Sequence, residues 1–236
     1  MAYVSIVVAS VCAFTESPSA HGEIRTVDEL NPPWGAVGQI NVAGYRRRTE
    51  CTGSLIATNV VITAAHCVMD PWHRKAFPVD EIHFLAGVRK SKWLGHSTAK
   101  CLHFSPDYEY RDHPSSNDVA LVTLNDSLDD IAPTDLDRIG AHGSDISLVY
   151  SLVYAAYPAD RRYVLSVQFG CHLLAQGQGF WLTDCNARPA SSGGPVFVQR
   201  NGGLKLAAIM VGTAPSGSVA IPLPNWIDLS AAHTCP

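Results

Sequence analysis

The stretch CTGSLIATNVVITAAHC, residues 51–67, decides how the fold is read. Residues 52–57 and 60–64 are two short aliphatic and β-branched runs, interrupted at Thr58-Asn59 and closed by His66-Cys67. Short runs broken by turn-forming residues predict strands rather than helices. Moving outward, the first half offers further runs at 34–42, 81–86, 93–104 and 119–124. The second half offers six, at 148–157, 163–171, 179–183, 195–199, 204–212 and 218–221. Period-2 alternation is clearest at Tyr163, Leu165, Val167 and Phe169, which are expected to share a core-facing side, with Val164, Ser166 and Gln168 opposite. The polar stretch 125–144 separates the halves, and Pro222 and Pro224 precede a short helix expected at 225–232. The predicted fold is all-β: two six-stranded antiparallel barrels, at 34–140 and 141–236, with a short C-terminal helix.

Composition narrows the function classes. The chain has 236 residues, 47% hydrophobic and 16% charged, with a net charge of −4. An ordered globular protein is expected, and no basic face marks a nucleic-acid partner. The basic run Arg46-Arg47-Arg48 reads as a solvated hairpin tip.

Ala2 to Phe14 form an apolar stretch too short to span a bilayer and ending in Val11-Cys12-Ala13, the small-residue pattern of a signal-peptidase site. A signal peptide at 1–20, cut near 13 or 20, and an N-terminal segment or propeptide at 21–33 follow from this. The chain is then secreted, extracellular or periplasmic, without a membrane anchor. Seven cysteines become six once Cys12 is removed. The even set Cys51, Cys67, Cys101, Cys171, Cys185 and Cys235 points to three disulfides, whose connectivity spacing alone leaves open.

Three motifs carry chemistry. Thr63-Ala64-Ala65-His66-Cys67 presents an imidazole, which a Cys51–Cys67 bridge would hold by closing a hairpin around it. Asn117-Asp118-Val119-Ala120-Leu121 sets a carboxylate at the head of an apolar strand. Ala190-Ser191-Ser192-Gly193-Gly194-Pro195 offers a hydroxyl followed by two residues without side chains, which allow a tight turn and close approach of a substrate. A serine hydroxyl is a poor nucleophile at neutral pH and needs a neighbouring base, here His66. That base needs a fixed tautomer and a partner for its developing charge, here Asp118. The oxyanion formed on attack needs donors, here the amides of Ala190 and Ser192. The reading requires side chains 66, 118 and 192 to meet within hydrogen-bonding range.

On these residues the chain resembles the trypsin/chymotrypsin superfamily of serine proteases over about 34–227, including Pro33-Trp34 and Asn225-Trp226-Ile227. In style it is similar to the bacterial branch that includes the glutamyl endopeptidases. The resemblance implies two perpendicular six-stranded barrels with the catalytic triad in the cleft between them. It implies a serine endopeptidase that needs no cofactor and acts as a monomer on a polypeptide substrate. It also implies Cys171–Cys185 beside the nucleophile loop, Cys101–Cys235 stapling the C-terminal end, and a specificity pocket near Asn186, Ala187, Met210, Val211 and Gly212.

Departures from the pattern matter as much. Ser191 stands where the digestive enzymes carry the Asp that pairs with a newly cut N-terminal amine, and the Ile-Val-Gly-Gly start is missing. Activation by such a pair is not expected. Asn186 replaces the Asp of trypsin-like pockets and Met210 the His of glutamyl endopeptidases, so a neutral or apolar residue is expected before the scissile bond. Ala190 replaces a Gly, and its methyl threatens the oxyanion donor. This keeps alive a second class, a protease-like fold that captures peptides without cutting them. A metal site built from His66 and Cys67 finds no H-E-x-x-H or paired C-x-x-C spacing to support it. A structural calcium ion near 107–112 has no firm ligand pattern.

Overall fold

The computed structural model describes residues 22–44, 47–105, 108–110, 115–137, 151–223 and 235. The expected signal peptide, the expected helix at 225–232, and residues 107, 111 and 112 of the 107–112 stretch lie outside the described residues.

The first half closes on itself. Strands β2 (Val37–Gly44), β3 (Arg47–Ala57), β4 (Val60–Thr63), β7 (Ile82–Ala86), β8 (Gly95–Phe104) and β9 (Ala120–Leu124) form a closed barrel in the order β2-β3-β4-β9-β8-β7. A small hairpin of β5 (Met69–Asp70) and β6 (Lys75–Ala76) stands apart from it. Val37, Ile40, Leu55, Val61, Ile62, Phe84 and Leu121 belong to the buried core that this barrel shares with the second half. The barrel's first run begins later than its hydrophobicity predicts. Trp34–Ala36 form a 3-10 turn, with the Trp34 and Ala36 amides bonded to the carbonyls of Asn31 and Pro33, and the strand starts at Val37. Arg47 pairs with Gly44 and Arg48 with Ala43, so these two residues lie at the end of the β2–β3 pairing, and Arg46 lies outside the described residues.

The second half forms one eight-stranded sheet, in the order β1-β11-β10-β14-β15-β16-β13-β12. Its members are β1 (Ile24–Thr26), β10 (Leu152–Ala156), β11 (Ser166–Cys171), β12 (Leu173–Gly177), β13 (Phe180–Thr183), β14 (Pro195–Arg200), β15 (Gly203–Ala214) and β16 (Gly217–Pro222). The six strands expected here lie side by side in its middle. The two outer strands are additions: β12 is a mostly exposed hairpin partner of β13, and β1 comes from the stretch expected as N-terminal segment or propeptide.

The alternation read at 163–169 holds only in part. Leu165 and Val167 are fully buried, but Tyr163 is 59% and Phe169 43% exposed. The opposite face is not solvated either, since Ser166 and Gln168 are buried. Strand β11 lies between β1 and β10, and Gln168 accepts the Asn186 amide at 2.7 Å through its side chain. A polar residue that gains a buried hydrogen bond no longer reports the solvent side.

Three disulfides join Cys51 to Cys67, Cys101 to Cys235 and Cys171 to Cys185. A bridge with the span of Cys51–Cys67 contributes about 3 kcal/mol in the chain-entropy picture.

Candidate active site

Strand register brings the first two candidates together. Antiparallel pairing of β4 with β9 sets Thr63 opposite Ala120. The chain leaves β4 into a 3-10 turn, Ala65–Val68, and enters β9 just after Asp118, so His66 and Asp118 arrive at the same barrel end. The His66 amide donates to Asp118 Oδ1 at 2.8 Å, and His66 Nδ1 lies 2.6 Å from Oδ2. Asp118 is 4% exposed, while the imidazole keeps an open edge. One carboxylate thus grips both the backbone and the ring of the histidine. Tyr108 stands nearby; burial, with the Asp118 charge as a second cause, pushes its phenol well up, so it stays protonated.

Ser192 sits in the turn that feeds β14, and the first barrel holds that turn. Its carbonyl accepts the Thr52 amide at 2.8 Å and lies 3.7 Å from Cys67 Sγ. Thr52 Oγ1 donates to the Ala190 carbonyl at 3.2 Å and accepts the Tyr157 amide at 3.0 Å. Thr63 Oγ1 donates to the Thr52 carbonyl at 2.7 Å. Thr52 therefore bonds to the nucleophile turn and to the second sheet at once. No motif marked it; the only sequence signal was a polar residue at a position the strand must bury.

Among the described residues, the imidazole's hydrogen bond, at Nδ1, runs to Asp118, and none runs from the Ser192 hydroxyl. His66 and Asp118 lie within hydrogen-bonding range of each other, and among the described residues no hydrogen bond joins Ser192 to His66. Such contacts are often long without substrate and tighten when it binds.

Ala190 has φ +69°, the left-handed region that ordinarily favours glycine. The methyl has not driven the backbone out of this conformation. Among the described residues neither the Ala190 nor the Ser192 amide donates to a protein acceptor. The turn is fixed by Ser191: its amide donates to the Arg188 carbonyl at 3.0 Å, its hydroxyl accepts the Arg188 amide at 3.3 Å, and its carbonyl accepts the Tyr154 hydroxyl at 3.4 Å. Burial pushes the Tyr154 phenol well up, which keeps it a donor. Holding an L-residue left-handed costs about 1–2 kcal/mol, partly offset in an Ala→Gly change by the added freedom of the unfolded chain. Ala190→Gly is expected to raise stability by up to ~1 kcal/mol with no loss of turnover, read by thermal unfolding and steady-state rates.

Beside Ser192 opens a cavity of about 390 Å³, lined by Ala187, Arg188, Pro189, Ser191, Ser192, Met210, Gly212 and Thr213. Of the expected pocket residues, Ala187, Met210 and Gly212 line it. Val211 packs in the core, and Asn186 faces a smaller neighbouring cavity with Gln168 and Tyr154. Arg188 was not foreseen. The metal-capable grouping among the described residues is Cys51, His66 and Cys67, and its two sulfurs are spent in a disulfide.

The family model described as trypsin matches residues 26–150, more than half of the chain. The chain belongs to the trypsin family. The matched residues include His66 and Asp118, and Ser192 lies beyond them. In the same family setting, serine protease ea of Drosophila melanogaster is 35% identical over 91 residues, which is 38% of this chain and 21% of that protein; the match takes in about a fifth of the relative's length. Among solved structures, a Glu endopeptidase in complex with MPD superposes with a TM-score of 0.72 at 16% identity, covering 87% of this chain and 92% of that one. Protease Anisep from Arthrobacter nicotinovorans gives 0.68 at 17%, covering 89% and 98%. At these identities the structural likenesses show the trypsin-family fold.

Proposed function

We propose that the protein is a secreted serine endopeptidase that hydrolyses polypeptides through an acyl-enzyme, with Ser192 as nucleophile, His66 as general base and acid, and Asp118 orienting His66. The observation that carries the reading is the double grip of Asp118 on the His66 backbone and Nδ1. It fixes the tautomer that leaves Nε2 free to accept a proton. On substrate binding, Nε2 takes the Ser192 proton as Oγ attacks the carbonyl carbon. The Ala190 and Ser192 amides, which have no protein acceptor among the described residues, receive the oxyanion. The imidazolium then protonates the departing amine, and water repeats the sequence to release the acid. Three disulfides and the apolar stretch near the N-terminus support export. On this reading residues 1–20 are a signal peptide, 34–140 carry His66 and Asp118, and 141–236 carry Ser192.

Two observations favour a second reading, a peptide-binding module. Among the described residues no hydrogen bond joins Ser192 to His66, and a methyl stands on the oxyanion loop. A fluorophosphonate probe separates the two. The endopeptidase is labelled at Ser192 and degrades a denatured protein, and Ser192→Ala abolishes both. Absence of label on the folded wild type would favour the binding module.

A further inference from the structure

We propose that His83 and His96 form a binding site for a divalent transition-metal ion of the zinc, nickel or copper class, on the outer face of the first barrel and apart from the His66–Asp118 pair. His83 Nδ1 and His96 Nε2 stand 3.0 Å apart, in rings separated by 5.3 Å between centroids and 11° between planes. Between two neutral rings at this distance one nitrogen donates and the other accepts, so a single proton serves both. A divalent cation that displaces this proton meets two lone pairs at one place. Metal–imidazole bonds are about 2.0–2.1 Å long, so two nitrogens on one ion stand about 3.3–3.4 Å apart at the tetrahedral angle and roughly 2.9 Å apart at a right angle. The spacing of the two rings falls between these limits, and a small turn of the exposed His96 ring completes the bite.

The strands hold the pair in place. β7 runs between β2 and β8 in the closed barrel, and Ile82 and Phe84 are fully buried on its inner side. Alternation turns His83 to the outer side. Register sets His83 opposite Thr98 and Leu85 opposite His96. The two histidines are therefore diagonal neighbours on one face, a spacing that long side chains bridge. Binding needs no rearrangement of the barrel, and the ion would clip β7 to β8.

Charge favours a cation as well. The charged groups that act on His96 are the His83 ring and the Asp126 carboxylate. Asp126 is fixed by the residue next to His96: its Oδ2 accepts from Ser97 Oγ at 3.1 Å, and its amide donates to the same hydroxyl at 3.0 Å. A carboxylate so placed supports an ion through a bridging water, and further waters fill its remaining positions. Cys51, His66 and Cys67 gather three donors, but two are spent in a disulfide, whereas both nitrogens of this pair stay available. Imidazole suits zinc, nickel and copper, while calcium and magnesium call for oxygen ligands.

The test is titration calorimetry of the full chain with Zn²⁺ alone, in the Ser192→Ala protein to prevent self-digestion, beside His83→Gln and His96→Gln in the same background. Zn²⁺ is expected to bind, and each substitution to weaken it by at least the tenfold that loss of a mere supporting group costs. At about a hundredfold excess over Kd, Zn²⁺ raises Tm by roughly 5–10 °C, a chelator reverses the rise, and Ca²⁺ or Mg²⁺ at the same concentration produces none. Melts without added metal show that both variants fold. Failure to take up Zn²⁺ overturns the inference, as does a titration that neither substitution changes. Weakening by only one of the two also overturns it, because a lone histidine would then be the ligand.

Discussion

Asp118→Asn is expected to lower kcat by roughly ten-thousand-fold, with KM changed little and the fold intact. The reason lies in the two bonds that one side chain makes. The His66 amide donates to Oδ1, a contact that only the oxygen of an asparagine can accept. The NH₂ of the substituted amide must then face His66 Nδ1, 2.6 Å from Oδ2 in the wild type. Since NH₂ only donates, Nδ1 becomes the acceptor and the ring proton moves to Nε2. An imidazole protonated at Nε2 cannot take a proton from Ser192. Steady-state kinetics on a peptide substrate, with a thermal melt to show that the variant folds, check this. A loss of only a few-fold would mean that Asp118 merely caps the strand beside His66.

The largest effect on stability is expected from Gly193→Ala. Gly193 has φ +78°, and an added Cβ would stand 2.1 Å from the Thr52 carbonyl oxygen and 2.2 Å from Thr63 Oγ1. Both are buried atoms of β3 and β4, and neither is the end of a flexible side chain. The Gly193 amide also donates to the Met210 carbonyl at 2.7 Å, so the loop cannot retreat without losing that bond. Overpacking of a filled site typically costs about 1–3 kcal/mol, and the left-handed conformation adds about 1–2. A loss on the order of 3 kcal/mol or more is expected, lowering Tm by roughly 6–12 °C for a chain of this size. A shift of a degree or two would show that the loop relaxes freely. This position also revises the role read from sequence. The close approach that glycine permits here is between the nucleophile turn and the first barrel, inside the protein.

Much of the fold was legible because strands announce themselves locally. The runs within 51–67 became β3 and β4 because each is short, aliphatic and flanked by turn residues. His66 and Asp118 were legible because their motifs lie at strand ends that the register then joins. What sequence concealed depends on tertiary context. β1 is three residues whose strand character comes from the exposed edge of β11, and β12 from its hairpin with β13. Thr52 looks like any strand threonine until the barrel and the eight-stranded sheet close around it. Arg188 belongs to no motif, and only the folding of its loop around Ser191 sets it beside Ser192. Val211 shows the converse. It follows Met210 directly in the chain, but alternation along β15 turns it into the core, away from the cavity.

The bond between Cys101 and Cys235 closes a covalent ring that holds both Asp118 and Ser192, while His66 lies outside it, tethered by its own small ring at Cys51 and Cys67. On the peptidase reading the protein lives among cutters, itself included, and its mostly exposed β12 strand is an obvious place to be cut. A single nick there falls inside the large ring and inside the one between Cys171 and Cys185, so the severed ends stay fastened to each other. Backbone damage on this face leaves one molecule rather than two fragments.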